Sequence, residues 1–476
     1  MRWAAVATLA AGVCTVVAAP ASAATPVEFV NASTGHDTGA CTDPAAPCLT
    51  ISYALTQAVS GTTIKIARGV YREQVTISKS VTLLGAGSGQ TFINPTTLPL
   101  SDTDPDSTAP QDYIVGVAPG TTGVHLKNFA VDGSGASPTF TSCSNDFVGV
   151  YFHNASGSIG NVPVTNVMLP AAQATCRQGL AFYVAASTGQ TSTVTMAHVR
   201  ARRYQRNGIT CDDAGTTCTI TYSTVSGGGP THNVTQNGIQ IFGASATVSH
   251  DRVSLDTYTG GGLGNQSTGI LVQNAETVSV SRNVIFSNDV DIYAVENPSL
   301  GLVPPTTGTW SILDNTVSQA TDAVPGGVPG NGYGDGITVD STTGTVNVIG
   351  NHSSGDTEYG IALLATSGAL LQSNSVRTSH DGIHIGGPGA SRTSSTGNKV
   401  TQNVSNSNVH DGIAADTVSV ESGNTFNSNR VGGNKTAQVA DLSTGTGTAG
   451  TANTWTDNTC RAVPKGSAKS SPPGLC

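Results

Sequence analysis

Charged residues are scarce in this chain: they make up 11% of its 476 residues, and aromatic residues only 5%. Serine, threonine and asparagine are abundant instead, and they disfavour helices because their side chains compete for backbone hydrogen bonds. The formal net charge of −9 argues against nucleic acid or an anionic membrane as the main partner. Valine, isoleucine and leucine recur at strand-sized intervals, which indicates a β-rich fold rather than disorder.

Long apolar runs are absent beyond the N-terminus, so we expect no membrane span. Residues 1–23 are typical of an export signal, because Arg2 precedes an apolar run and Ala21-Ser22-Ala23 is a small-residue cleavage site. Cys14 lies inside this segment and is expected to be removed with it. We therefore expect a secreted, extracellular protein.

The chain also lacks a Cys-x-x-Cys pair, which argues against a zinc site built on cysteine. Of its nine cysteines, all but Cys14 remain after the export signal, an even number that predicts disulfides in an oxidising compartment. Their spacing predicts four local bridges: Cys41–Cys48, Cys143–Cys176, Cys211–Cys218 and Cys460–Cys476.

A repeat organises the rest of the chain. Gly360-Ile361, Gly382-Ile383 and Gly412-Ile413 each open an alternating apolar run after a turn-rich segment. The equivalent upstream residues are Gly149, Gly179, Gly208, Gly238, Gly269, Asp291 and Gly336. Such self-similarity is the signature of a solenoid, in which each repeat forms one coil.

Asparagines follow the second apolar run of several coils. They are Asn128, Asn283, Asn315, Asn351, Asn374 and Asn403. Stacked turns would place one asparagine above the next, so we expect most of them to form side-chain hydrogen-bond ladders.

The two ends of the solenoid need covers, because open strand edges invite aggregation. Residues 24–60 are predicted to be an N-terminal cap that holds the loop closed by Cys41 and Cys48 and one short helix between Leu49 and Val59. Residues 61–445 are predicted to form the solenoid, and residues 446–476 a tail stapled by the last disulfide.

Three early segments resemble the start of secreted right-handed parallel β-helix proteins. They are Cys48-Leu-Thr-Ile-Ser-Tyr-Ala-Leu, Gly61-Thr-Thr-Ile-Lys-Ile-Ala-Arg-Gly-Val-Tyr-Arg-Glu and Val81-Thr-Leu-Leu-Gly-Ala-Gly. These proteins form the pectin-lyase-like superfamily, whose parallel β-helix repeat also occurs in copper-maturation proteins of the NosD type. The resemblance implies an all-β, right-handed parallel β-helix of about eleven coils. It does not imply one reaction, because lyases, glycosidases, epimerases and adhesins share this fold.

The register predicts which side chains face outward. If Ile361 and Ile383 face the core, the next residue and every second residue after it face solvent. One outward column is predicted to contain Tyr293, Thr338, Ala362 and His384, and a second column Asp340, Leu364 and Asp416. Glu358, His380 and His410 are predicted to stack at the strand starts, beside Asp335, Asp381 and Asp411.

These columns hold the candidate catalytic residues: Asp340, Glu358, His380, Asp381, His384, His410 and Asp416. Tyr293 is a candidate substrate contact. Coils lie about 4.8 Å apart, so Asp335 and Asp381, two coils apart, are expected to have the separation of roughly 6.5 to 9.5 Å that inverting glycosidases use. A histidine beside a carboxylate is suited to proton transfer.

An alternative remains open for the aspartates. Asp335, Asp381 and Asp411 precede Gly-Ile at a turn, where aspartate is favoured for its backbone hydrogen bonds. A turn does not require a histidine side chain, so this alternative does not explain His380, His384 and His410. Ser379-His-Asp-Gly-Ile-His384 resembles a polygalacturonase segment, but the further polygalacturonase motifs are missing, which argues against that activity.

A second candidate site is basic. Arg200, Arg202, Arg203 and Arg206 are candidate substrate-binding residues, because arginine binds the carboxylates of acidic sugars in a bidentate manner. The alternative is local pairing with Asp212, Asp213 and Asp251.

Two classes of function stay open at this stage. The first is a carbohydrate-active enzyme, a lyase, glycosidase or epimerase, that binds a polysaccharide or cell-wall glycan along the first parallel sheet. The second is a non-catalytic module that binds glycan, metal or a cell surface. Calcium is the one cofactor considered, because pectate lyases of this superfamily use it; the metal ligands are undetermined, and a monomer is expected.

Overall fold

The computed structural model describes Met1 and residues 25–103, 109–260, 266–297, 308–321, 334–386, 394–415 and 422–476. The predicted export signal and Asp416 lie outside these residues. The one α-helix among them, α1, spans Ile51–Gln57. It begins after Thr50, whose side chain accepts a hydrogen bond from the Tyr53 backbone at 3.1 Å.

Three parallel sheets run along the molecule, and the chain visits them in turn. Sheet 1 has 14 strands: β4 (Val75–Ile77), β7 (Gln111–Val117), β10 (Asp146–His153), β13 (Leu180–Ala185), β16 (Asn207–Asp212), β19 (Asn237–Phe242), β22 (Thr268–Gln273), β25 (Val290–Val295), β28 (Asp335–Asp340), β31 (Tyr359–Leu364), β34 (Asp381–Ile385), β37 (Ile413–Ala415), β40 (Ala437–Asp441) and β43 (Ala468–Ser471).

Sheet 2 has 15 strands: β1 (Val27–Val30), β2 (Thr63–Ile66), β5 (Thr82–Gly85), β8 (Val124–Lys127), β11 (Ser156–Gly160), β14 (Ser192–Ala197), β17 (Thr216–Thr221), β20 (Ser245–Ser249), β23 (Val278–Ser281), β26 (Thr309–Leu313), β29 (Thr345–Ile349), β32 (Leu370–Gln372), β35 (Lys399–Thr401), β38 (Thr425–Asn427) and β41 (Thr454–Thr456).

Sheet 3 has 14 strands: β3 (Gly69–Tyr71), β6 (Thr91–Ile93), β9 (Ala130–Asp132), β12 (Pro163–Val167), β15 (Arg200–Tyr204), β18 (Thr224–Thr231), β21 (Arg252–Tyr258), β24 (Val284–Phe286), β27 (Thr316–Ser318), β30 (His352–Ser354), β33 (Ser375–Arg377), β36 (Val404–Asn406), β39 (Arg430–Gly432) and β42 (Thr459–Arg461).

The fold is therefore the predicted right-handed parallel β-helix with one short helix near its N-terminus. The coils outnumber the eleven expected, because β1 to β9, which precede the first counted glycine, Gly149, and β41 to β43 of the predicted tail belong to the same three sheets. Among the described residues, no helix is long and apolar enough to cross a membrane.

The Gly-Ile pairs explain the tight winding. The isoleucines that follow the glycines, including Ile361 and Ile383, pair in register and are fully buried between the sheets. A Cβ added to Gly360 would lie 2.1 Å from Cγ1 of Val376 on sheet 3. Glycine at this position lets sheets 1 and 3 approach closely at the corner. The predicted equivalence of Gly179 is wrong, because Leu180 pairs with Asn207 and Ala181 is therefore the residue opposite Gly208.

Most of the asparagines form the predicted ladder. One column contains Asn283, Asn315, Asn351, Asn374, Asn403, Asn429 and Asn458. The backbone N–H of each asparagine except the last donates to the side-chain oxygen of the next one at 2.9 to 3.0 Å. Asn128 differs, because its side-chain oxygen instead accepts from Asn161 Nδ2 at an exposed turn. All four predicted disulfides are present.

Candidate functional site

The outer face of sheet 1 carries the two predicted outward columns. Tyr293, Thr338, Ala362 and His384 are aligned on neighbouring strands, as are Val295, Asp340 and Leu364. The register of the sequence repeat therefore gives the neighbours on this face.

The expected solvent exposure of Asp340 and His384 is wrong, because each side chain is only 4% exposed. The Tyr359 ring stacks on the His384 imidazole with ring centroids 4.2 Å apart. The Tyr293 hydroxyl donates to Asp340 Oδ2 at 2.8 Å. Tyr359, Ala362 and Leu364 also form an apolar cluster outside the main core, so apolar and polar side chains pack together on this face.

A more accessible group lies where the strands of sheet 1 begin. We call His380, Asp381 and His410 the histidine cluster. His410 Nδ1 lies 2.9 Å from Asp381 Oδ1, and His380 Nδ1 lies 3.8 Å from Asp381 Oδ2. The two imidazoles stack with centroids 5.2 Å apart. Their side chains are 29% and 44% exposed, so a ligand can reach both rings.

The coil geometry positions this cluster. The His410 backbone N–H donates to the His380 carbonyl at 2.7 Å, which places the two histidines at one position of successive coils. The Asp411 backbone N–H donates to Asp381 Oδ1 at 2.7 Å and fixes the carboxylate between the rings. Packing of identical positions one coil apart thus brings together residues that are 30 apart in the chain.

The aspartates at the strand starts hold the backbone of the next coil. Asp335 accepts the Tyr359 N–H at 3.1 Å, and Asp411 accepts the Ala437 N–H at 2.8 Å. These bonds agree with the turn role considered for Asp335, Asp381 and Asp411. Asp381 differs from Asp335 in that its carboxylate also contacts an exposed imidazole.

Burial and, next in size, the neighbouring Glu358 raise the pKa of the Asp335 carboxyl to about 7. Thr338 Oγ1 donates to Asp335 at 2.7 Å. Both Asp335 and Glu358 are fully enclosed, so neither side chain can reach a glycan on the surface.

The pKa of the Asp411 carboxyl is also raised, first by burial and then by the nearby Asp381, while His410 opposes this shift. This carboxyl lies beside Asp381 and shares its site with the two imidazoles. The histidine cluster is therefore a place where a proton can be exchanged.

The same cluster offers ligands for a metal ion. One ligand atom each from His380, Asp381 and His410 lie within 4.8 Å of one another. Two imidazoles and one carboxylate suit a transition metal such as Zn²⁺, whereas Ca²⁺ prefers six to eight oxygen ligands. The donor set thus fits calcium poorly.

The arginines lie elsewhere. Arg200, Arg202 and Arg203 are exposed on β15 of sheet 3. Arg206 lies at a strand start of sheet 1, but six coils, or about 29 Å, from His380. Burial lowers the pKa of its guanidinium to about 10, and its Nη1 donates to the Thr235 carbonyl at 2.5 Å. The structure therefore does not join the basic residues to the histidine cluster.

One of the acidic partners considered for these arginines has a different role. Asp251 is buried and accepts the Ser223 backbone N–H at 2.6 Å. Burial raises the pKa of its carboxyl to about 7. Asp212 lies on sheet 1, where its carboxylate accepts a hydrogen bond from the Tyr183 hydroxyl at 3.3 Å.

A cluster of polar side chains around His153, near the N-terminal end of sheet 1, was not identified from the sequence. The outward columns continue upstream to Tyr151 and His153 on β10, which align with Tyr183 and Ala185 on β13. The signal was present, because Gly149-Val150-Tyr151-Phe152-His153 has the same alternation as the later coils. His153 contacts Asp102 and Ser187, which lie far from it in the chain.

The comparisons with known proteins agree with the fold. A family model described as "Right handed beta helix region" matches residues 184–376. The catalytic domain of a GH87 α-1,3-glucanase in complex with nigerose is 12% identical, with a TM-score of 0.51 over 93% of this chain and 70% of that one. The A-module of the Azotobacter vinelandii mannuronan C-5 epimerase AlgE6 is 13% identical, with a TM-score of 0.46 over 87% and 95%. No curated protein matches the sequence.

Proposed function

We propose that this right-handed parallel β-helix protein acts on an extracellular polysaccharide by proton transfer at the histidine cluster. The observation that carries the proposal is the Asp381 carboxylate held between two stacked, accessible imidazoles at the edge of sheet 1. Histidine beside a carboxylate is the commonest arrangement for general acid and base catalysis near neutral pH.

A polymer is the substrate class that suits the surface. The starts of the 14 strands of sheet 1 line one edge about 62 Å long, at about 4.8 Å per strand. A linear glycan can lie along such an edge and present one residue to the cluster. The GH87 catalytic domain with the same fold is a glucanase, which agrees with this substrate class.

Elimination or epimerisation suits the residues better than hydrolysis. Glycosidases need two carboxyl groups that flank the scissile bond. Asp335, which was expected to pair with Asp381, is enclosed and engaged by Thr338 and Tyr359. Abstraction of the proton next to a uronate carboxyl group needs a positioned base and an acid, and His380 and His410 can supply both.

The test uses the secreted full-length protein on a panel of polyuronates and neutral glucans. Elimination creates an unsaturated sugar that absorbs ultraviolet light, epimerisation exchanges the sugar proton with deuterated water, and hydrolysis releases reducing ends. We expect His380→Ala and His410→Ala to lower turnover on a polyuronate by about 10²- to 10⁴-fold.

His250→Ala is the matched control, because the His250 imidazole is also exposed and stacked, on Tyr222 at 4.9 Å. It should retain full turnover and folding. Full activity in both His380→Ala and His410→Ala would refute this site.

Metal binding is the second candidate function, supported by the three ligand atoms within 4.8 Å. Titration with Zn²⁺ and Ca²⁺ in a calorimeter separates the two functions. If the protein binds Zn²⁺ through His380 and His410 but turns over no glycan, the cluster is a metal site of a binding module. If a chelator leaves glycan turnover unchanged, the histidines act as proton carriers.

A further inference from the structure

Three side chains at the N-terminal end of the outer face form a continuous hydrogen-bonded chain. Asp102 Oδ2 lies 2.5 Å from His153 Nδ1, and His153 Nε2 lies 2.7 Å from Ser187 Oγ. The order is carboxylate, imidazole and hydroxyl, and Asn154 Nδ2 lies 3.0 Å from the same ring nitrogen, His153 Nε2. This is the geometry in which an imidazole can take the proton of a serine hydroxyl.

The partners determine where the protons lie. A carboxylate only accepts, so Asp102 selects the tautomer in which His153 Nδ1 carries the proton. His153 Nε2 is then an acceptor for the Ser187 hydroxyl. Asn154 Nδ2, a donor, lies 3.0 Å from Ser187 Oγ and satisfies its lone pair.

Backbone contacts fix this arrangement. His153 ends β10, and Ser187 follows the adjacent strand β13. The Ser187 backbone N–H donates to Asn154 Oδ1 at 2.8 Å. Asp102 is attached to sheet 1 by two backbone hydrogen bonds to Gln111, of 2.8 and 3.0 Å. His153 and Ser187 are buried, whereas the Asp102 side chain is 26% exposed.

We propose that Ser187, His153 and Asp102 form a hydrolase site for a carboxylic ester. Ser187 Oγ attacks the ester carbonyl carbon while His153 Nε2 takes the hydroxyl proton. The carbon–oxygen bond to the alcohol then breaks, and His153 returns the proton to the leaving alcohol. Water, deprotonated by His153, attacks the acylated serine, releases the acid and restores the hydroxyl.

Another group fits this reaction. The tetrahedral intermediate carries a negative oxygen, and the Asn154 amide beside Ser187 Oγ is a donor for it.

This site is independent of the histidine cluster. β10 and β34 are eight strands apart in sheet 1, a distance of about 38 Å. The ester hydrolysis therefore does not rest on the function proposed above. Loss of one activity would leave the other measurable.

The test combines a fluorophosphonate probe with p-nitrophenyl acetate and uses the full-length protein. We expect the probe to label Ser187, identified by peptide mass spectrometry, and Ser187→Ala to lose both labelling and ester hydrolysis. His153→Ala should lower hydrolysis by about 10²- to 10⁴-fold.

Ser158→Ala is the matched control, because Ser158 Oγ lies 2.7 Å from His125 Nδ1 on sheet 2. That histidine lies near Lys127 rather than a carboxylate: burial and the Lys127 charge lower the pKa of its imidazole. Ser158→Ala should leave labelling and hydrolysis unchanged.

Asp102→Asn tests whether Asp102 positions the His153 imidazole. The Asp102 side chain is partly exposed, so this substitution should leave the protein folded. An amide at this position favours the wrong tautomer of His153, so kcat should fall while KM stays unchanged. If the intact protein is not labelled at Ser187, or if Asp102→Asn hydrolyses the ester at the unchanged rate, the hydrogen-bonded chain only holds the two strands and the proposal is overturned.

Discussion

At the scale of the residue, buried carboxyl groups stand out in a chain that has few charges. Asp356 is enclosed, and burial raises the pKa of its carboxyl to about 7. It accepts the Ala320 backbone N–H at 3.2 Å and a hydrogen bond from Ser379 Oγ at 3.0 Å. Two coils further on, Asn408 occupies the same position and accepts the Ser379 backbone N–H at 3.1 Å. An uncharged amide therefore fits this column.

We predict that Asp356→Asn makes stability less dependent on pH. An unfolded aspartate has a pKa of about 3.9. Between about pH 4 and pH 7 the folded protein binds more protons at Asp356 than the unfolded chain, so the free energy of unfolding falls as the pH rises. Urea unfolding at pH 5 and pH 8 measures this loss. Asp356→Asn should lose less stability than the unaltered protein, and an equal loss in both would contradict the assignment.

At the scale of the element, the asparagine ladder joins the turns of successive coils. Asn374 Nδ2 donates to the Val348 carbonyl at 2.8 Å, and its Oδ1 accepts the Asn351 backbone N–H at 2.9 Å. These backbone groups are buried, so the ladder replaces the water that they would otherwise bind.

We predict that Asn374→Ala lowers the free energy of unfolding by about 1 to 3 kcal/mol for each backbone group left without a partner. Any activity per folded molecule should stay intact. Asn427→Ala is the control, because Asn427 donates to Thr456 Oγ1 at the surface and its loss should cost no more than about 0.5 kcal/mol. Equal stability of the two variants in urea unfolding would argue against a ladder.

At the scale of the whole molecule, each coil contacts mainly the coils before and after it, as the consecutive strand order of all three sheets shows. Stability in such a solenoid is close to a sum of local terms, so a defect at one end should stay there. The disulfides Cys41–Cys48 and Cys460–Cys476 lie near opposite ends.

We predict that replacing Cys460 and Cys476 by serine increases hydrogen exchange in β41 to β43 and leaves β10 and β13 protected. Replacing Cys41 and Cys48 by serine should loosen β1 and β2 instead. Hydrogen exchange read by mass spectrometry distinguishes the two. Loss of protection along the entire chain in either variant would mean that the coils unfold as one cooperative unit.

The sequence by itself determined the fold and the register. The Gly-Ile repeat, the alternation after it and the asparagines of the turns are local patterns, and stacking repeats them at one position of every coil. The column of Tyr293, Thr338 and His384 could therefore be predicted, as could the four disulfides, whose cysteines lie within one coil or on neighbouring coils.

Only the tertiary structure decided exposure and the contacts between distant segments. The register says that His384 points outward, but its burial and the stacking of the Tyr359 ring on its imidazole are matters of side-chain packing on the outer face. Asp102 lies in an irregular segment outside the repeat, so no period of the sequence places it against His153, 51 residues away. A solenoid repeat specifies neighbours one coil apart, whereas segments that leave the coil find their partners only through folding in three dimensions.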